Sequence, residues 1–196
     1  MVLGSVGVCA LVARAHDRPA LLATVLVYGA CLVLVYAASS AYHLVSGSDA
    51  LERRLRKLDH CAIFLMIAGT CTPVFWRAFD GVARVGMLSA IWGLAGAGIA
   101  LRMLWRKAPR TLYTLTYLGM GWLVAVRGPM ALHALPAVGL ALIVAGGVTY
   151  TVGAIVYAVG RPNPFPPVFG SHEVWHVLVL VGSALHYAAI AMLAAP

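Results

Sequence analysis

Ser171-His172-Glu173-Val174-Trp175-His176 opens the last apolar stretch of the chain. Histidines at i and i+4 share one face of a helix, which is how a helix offers two imidazoles to one metal ion. Two further polar clusters stand at the ends of other apolar stretches: Ser39 with His43 four residues later, and Asp59. Imidazole in hydrocarbon is costly without a partner, so histidines in such segments point first to function. Alone, each cluster has a plainer explanation: His43 as a hydrogen-bonded interfacial histidine, Asp59 as a helix cap or a partner for Lys57. Together, three imidazoles and a carboxylate suit Zn2+, with three protein ligands and a fourth position open to water. His43, His172 and His176 would then be the metal ligands. Asp59 would orient or deprotonate the water, and Ser39 would hydrogen-bond a ligand or the substrate.

The same hexapeptide matches the HExxH pattern literally, with Glu173 as a would-be general base. Metalloproteases of that type add a downstream acidic ligand, and Glu173 is the last acidic residue of the chain, so a protease is the minor reading. His60 points about 100° away from Asp59 around a helix and reads as a supporting or structural residue. His186 lies roughly 15 Å beyond His176, too deep for the same ion, and reads as a buried, hydrogen-bonded histidine. His16 and His133 fall in connections and read as solvated. Cys9, Cys31, Cys61 and Cys71 form no CxxC pair and read as small buried hydrophobes.

The elements that must position these residues are membrane helices. Of 196 residues 62% are hydrophobic and 10% charged, with a mean hydropathy of +0.92, more apolar surface than a soluble domain can bury. Seven apolar stretches run approximately 1–13, 20–46, 59–79, 83–105, 111–131, 136–159 and 171–195. Most reach the roughly 20 residues that a helix needs to cross ~30 Å of hydrocarbon. The expected fold is therefore all-α: a polytopic, single-domain bundle of seven transmembrane helices whose first helix is short or truncated. The net charge of +8 lies in clusters between the apolar runs, the pattern of membrane flanks, and no nucleic-acid partner is expected. Lys and Arg number nine in the even-numbered connections (Arg53, Arg54, Arg56, Lys57, Arg102, Arg106, Lys107, Arg110, Arg161) and five in the odd-numbered ones (Arg14, Arg18, Arg77, Arg84, Arg127). That asymmetry predicts a cytoplasmic N-terminus and an external C-terminus in a bacterial inner membrane. Ser39, His43, Asp59, His172 and His176 then all lie near the cytoplasmic face.

Within residues 47–58, Asp49 with Glu52 reads as an N-cap and its capping-box partner. Leu51, Leu55 and Leu58 oppose Arg53, Arg54, Arg56 and Lys57, which predicts a short basic helix on the lipid surface. The Pro-rich residues 161–167 cannot be helical, and Ser171 is the expected N-cap of the last helix. Small residues such as Gly93/Ala97, Gly119/Gly121 and Gly146/Gly147 read as close helix packing.

Several ordered motifs carry a resemblance. They are Ser39-Ser40-Ala41-Tyr42-His43, Lys57-Leu58-Asp59-His60-Cys61-Ala62-Ile63-Phe64, Ile67-Ala68-Gly69-Thr70-Cys71-Thr72-Pro73, Gly119-Met120-Gly121-Trp122-Leu123 and Phe169-Gly170-Ser171-His172-Glu173-Val174-Trp175-His176. From about residue 20 onward the chain resembles the bacterial hemolysin III family, the prokaryotic branch of the progestin and adipoQ receptor family, which includes the adiponectin receptors and is related to alkaline ceramidases. The resemblance implies seven helices, a cytoplasmic N-terminus and zinc near the cytoplasmic face. It carries the family's zinc histidines onto His43, His172 and His176, its water-holding aspartate onto Asp59 and its serine onto Ser39. The family's cytoplasmic segment before a full-length first helix has no counterpart in the sequence given.

Three functions are open at this stage. One is a zinc-dependent, ceramidase-like hydrolase of lipid amides or esters. The second is a non-enzymatic sensor or regulator of membrane state in which zinc staples helices. The third is a cytolytic hemolysin. Membrane lipids are the expected partners in each.

Overall fold

A chain in lipid must satisfy its backbone hydrogen bonds internally, and this one does so with helices. The protein is described by a computed structural model over residues 2–105, 109–128, 133–166 and 168–194. The elements are α1 (Val2–Ala15), α2 (Pro19–Leu44), α3 (Asp49–Ala78), α4 (Gly81–Leu104), α5 (Arg110–Gly121), a 3₁₀ turn (Leu123–Arg127), α6 (Ala137–Val159) and α7 (Ser171–Leu193). Among the described residues, strand-like pairing is confined to one bridge, Phe165 with Phe169. The all-α, polytopic membrane fold expected from the sequence holds. Five helices, α2, α3, α4, α6 and α7, are long and apolar enough to cross a membrane.

Three expectations are corrected. Residues 47–58 do not form a separate surface helix: α3 runs unbroken from Asp49 to Ala78, because neither Gly nor Pro interrupts the chain before Gly69. Its N-cap is Ser48, whose Oγ accepts the Leu51 N–H at 3.4 Å, so Asp49 is already helical and Asp59 lies inside the helix, where it caps nothing. The expected span 111–131 is not one helix. α5 ends at Gly121, the chain turns at Trp122 and continues as a 3₁₀ turn. Two glycines, Gly119 and Gly121, weaken the helix there, and Trp122 is pulled aside. Its Nε1 donates to Thr151 Oγ1 at 3.0 Å and its ring packs on Gly147 of α6. Thirdly, Ser171 is the first residue of α7 rather than its cap, for the reason given below. Met1, Arg106, Lys107, Pro167 and the last residues of the expected spans 111–131 and 171–195 lie outside the described residues.

Helices α1 to α4 form one compact unit and residues 109–193 a second. In the first, α3 supplies most of the core, including the fully buried Phe64 and Phe75. Lipid tails are as apolar as side chains, so close packing rather than hydrophobicity joins helices in a membrane. Gly98 of α4 admits the Phe64 ring where a methyl group would overlap it, and a Cβ on Gly69 of α3 would stand 2.7 Å from Cβ of Cys31 on α2. Polar glue is local: Thr72 donates to Ala68 O at 2.7 Å and accepts from Trp92 Nε1 of α4 at 3.1 Å. In the second unit, a methyl at Gly146 of α6 would overlap the His186 ring, and one at Gly182 of α7 would stand 3.0 Å from the Tyr150 ring.

Candidate metal centre

The first turn of α7 is fixed by its own side chains. Gly160, with φ +68°, ends α6 in the left-handed region that only glycine enters freely. Three residues on, Asn163 donates from Nδ2 to Gly160 O at 3.1 Å and accepts the Ser171 N–H on Oδ1 at 2.8 Å. One side chain thus ties the end of α6 to the start of α7. Glu173 Oε2 accepts the Gly170 N–H at 2.8 Å, and Val174 N–H donates to Gly170 O at 3.1 Å. Gly170 is therefore the N-cap, and Glu173 supplies the carboxylate half of a capping box. The carboxylate that the HExxH pattern offers as a base is occupied with closing the helix.

On that fixed turn His172 and His176 come together. Their Nε2 atoms stand 3.1 Å apart, with ring planes at 89° and centroids 4.5 Å apart. One nitrogen must donate and the other accept. The separation also fits a shared ion: two nitrogens ~2.0–2.1 Å from a tetrahedral zinc stand about 3.3 Å apart. Trp175 lies beside both imidazoles, 4.5 Å from the His176 ring and 5.5 Å from that of His172. On its other side it meets Tyr157 of α6 at 4.9 Å. His172 is exposed and His176 half-buried.

The other predicted residues belong to the first unit. Ser39 and His43 sit one turn apart at the end of α2, Ser39 half-buried and His43 exposed, with the His43 ring 4.8 Å from that of Tyr42. Asp59 is buried on α3, at 9% exposure. Because residues 45–48 return the chain directly, α2 and α3 run antiparallel. Counting ten residues from the Gly69–Cys31 contact along each helix brings Asp59 roughly level with residue 41, between Ser39 and His43.

Among the described residues, three histidines outside the set have structural partners. His186 is partly buried, with Nε2 3.1 Å from Ile143 O, the hydrogen-bonded role expected of it. His60 Nδ1 accepts from Arg102 Nε of α4 at 3.1 Å. His16 bridges Ala13 O and Asp17 at the surface. Asn163 and Gly170 were not picked out by the sequence reading. The available signal was an asparagine between two prolines, since Asn side chains in such turns bind nearby backbone.

These observations define a class: a polytopic all-α membrane protein with paired imidazoles at the head of its last helix. More narrowly, the chain belongs to the haemolysin-III-related family, whose sequence pattern matches residues 1–187. It is 34% identical over 175 residues to Hemolysin-3 of Bacillus cereus, across 89% of this chain and 77% of that protein. To Heptahelical transmembrane protein ADIPOR2 of Oryza sativa subsp. japonica it is 34% identical over 193 residues, 91% of this chain and 84% of the relative. With the human Monocyte to macrophage differentiation factor it shares 26% identity over 174 residues, 85% of this chain and 68% of that one. The family read from the motifs is the family found.

Proposed function

We propose that this protein is a zinc-dependent membrane hydrolase of lipid amides or esters, with His43, His172 and His176 holding the ion. The observation that carries the reading is the 3.1 Å separation of the two Nε2 atoms on α7, a donor pair suited to tetrahedral zinc and short of one ligand. When bound, zinc would supply Lewis acidity at neutral pH. Asp59 takes up a proton from water, and Ser39 donates a hydrogen bond to the substrate carbonyl or to a ligand. A structural zinc site rarely needs a carboxylate and a serine in addition to three histidines, so the presence of Asp59 and Ser39 in the set favours hydrolysis over a staple. The test is Asp59→Asn, which keeps size and hydrogen bonding while removing the charge. It should retain zinc and fold yet lose lipid hydrolysis by ~10²–10⁴-fold, the usual contribution of a general base. Wild-type activity in this variant would reduce the metal to a structural role, and loss of zinc would make Asp59 a ligand.

The proposed setting is a bacterial inner membrane with the N-terminus and the metal on the cytoplasmic side. It rests on the Lys/Arg asymmetry and on the word heptahelical in the rice relative's name. Cysteines introduced at Asp49 and Asn163 should be labelled only from the cytoplasm, and one at His133 only from outside. The reverse pattern would turn the protein over.

A further inference from the structure

Because α3 is continuous, its basic part is not a free surface segment but a rigid extension of a membrane helix. The helix has 30 residues, about 45 Å at 1.5 Å per residue, against a hydrocarbon core of ~30 Å. The apolar part begins near Asp59, so roughly ten residues project into the headgroup layer and beyond it. At 100° per residue, Arg53, Arg56, Lys57 and His60 fall within about 100° of arc, with Leu51, Leu55 and Leu58 on the opposite side. The contact between His60 and Arg102 shows which neighbour this basic face meets: the last turn of α4. Arg102 adds a further cation to the face, and His60 fixes its guanidinium by accepting from Nε. Beside it, Trp105 at the end of α4 is 50% exposed, an aromatic of the kind that settles at headgroup depth. Arg53 and Arg56 are exposed, and Lys57 is half-buried. The acidic groups of α3 near this face are Asp49 and Glu52, one turn before Arg53 and Arg56, and the buried Asp59 beside His60, three carboxylates against the four cations Arg53, Arg56, Lys57 and Arg102. Like charges at i, i+3 and i+4 repel, so such a face is stabilised by an anion lying across it.

We propose that the edge formed by Arg53, Arg56 and Lys57 of α3 and Arg102 of α4 binds the phosphodiester of an anionic phospholipid, with His60 positioning Arg102. The site needs no metal and stands apart from the proposed hydrolysis. It locks the α3–α4 pair at a defined depth in an anionic leaflet.

The test is native mass spectrometry of the purified full chain in neutral detergent, titrated with phosphatidylglycerol, with phosphatidylcholine and with inorganic phosphate. Phosphatidylglycerol should bind more tightly than phosphatidylcholine, and more weakly as salt rises. Each charge removed should cost about fivefold, so Arg102→Gln loses about fivefold and the triple Arg53→Gln/Arg56→Gln/Lys57→Gln variant about 100-fold. Should the triple variant not fold, the salt dependence of the wild type decides alone. Equal affinity for the two lipids, or affinity independent of salt, would overturn the site. Displacement of the lipid by millimolar inorganic phosphate would make it a site for the free ion, and the lipid assignment would fall.

Discussion

The start of α7 and the end of α2 carry the same kind of residue by different means. On α7 the imidazoles rest on a turn that its own side chains close: Asn163 bridges Gly160 and Ser171, and Glu173 holds Gly170. On α2 and α3, Ser39, His43 and Asp59 sit on long helices whose register is set by packing, through Gly69 against Cys31 and Gly98 against Phe64. A site can therefore be preorganised by local hydrogen bonds or by distant close contacts. The two should respond differently to mutation: the first through ligand geometry with the fold intact, the second through stability.

The largest expected effect tests whether the two regions share one ion. Purified protein should hold about one zinc per chain. His43→Ala, His172→Ala and His176→Ala should each lose at least about 100-fold in affinity, whereas His186→Ala should bind as wild type. Metal analysis after dialysis reads this directly. Full zinc in the His43 variant alone would break the comparison, leaving α7 to bind metal without α2.

A smaller effect should come from packing. Gly98→Ala forces a methyl into the Phe64 ring and should cost about 1–3 kcal/mol, the usual penalty for overpacking. Gly96→Ala, with nothing within 4 Å of its added methyl, should be neutral or stabilising. Thermal unfolding in detergent compares the two, and equal midpoints would remove the claim that close approach sets the α3–α4 register.

The smallest effect isolates the brace. Asn163→Ala should weaken zinc binding about tenfold, in line with other groups that orient metal ligands, while shifting the unfolding midpoint little. A large stability loss with unchanged zinc affinity would reverse the roles assigned to the two regions.

What the sequence made legible follows from what hydropathy measures. α2, α4, α6 and α7 begin and end within one or two residues of their expected limits, because lipid exposure demands an apolar run. Hydropathy is blind to the backbone, and so it misplaced two elements. Nothing between Asp49 and Leu58 breaks a helix, although charge there suggested a boundary. Gly119 and Gly121 do weaken one, although the apolar run continues past them. In the site, the His172/His176 pair was readable from its spacing of four. Glu173, the would-be base of the minor protease reading, has a capping role that the motif did not show, because its place there says nothing of the Gly170 N–H three residues back, which binds the carboxylate.

The break after Gly121 bears on the kind of bilayer the protein suits. α5 has 12 residues, about 18 Å of helix, little more than half of an ordinary hydrocarbon thickness. Beyond it, the carbonyls of an irregular turn need either protein cover or water, since acyl chains offer neither donor nor acceptor. If α5 crosses the bilayer, the lipids bordering it would meet this mismatch by thinning, at a cost of fractions of a kcal/mol per Å. Short-chain or unsaturated lipids would carry less of that penalty, and acyl-chain length would then be a variable that selects for this protein's folded form.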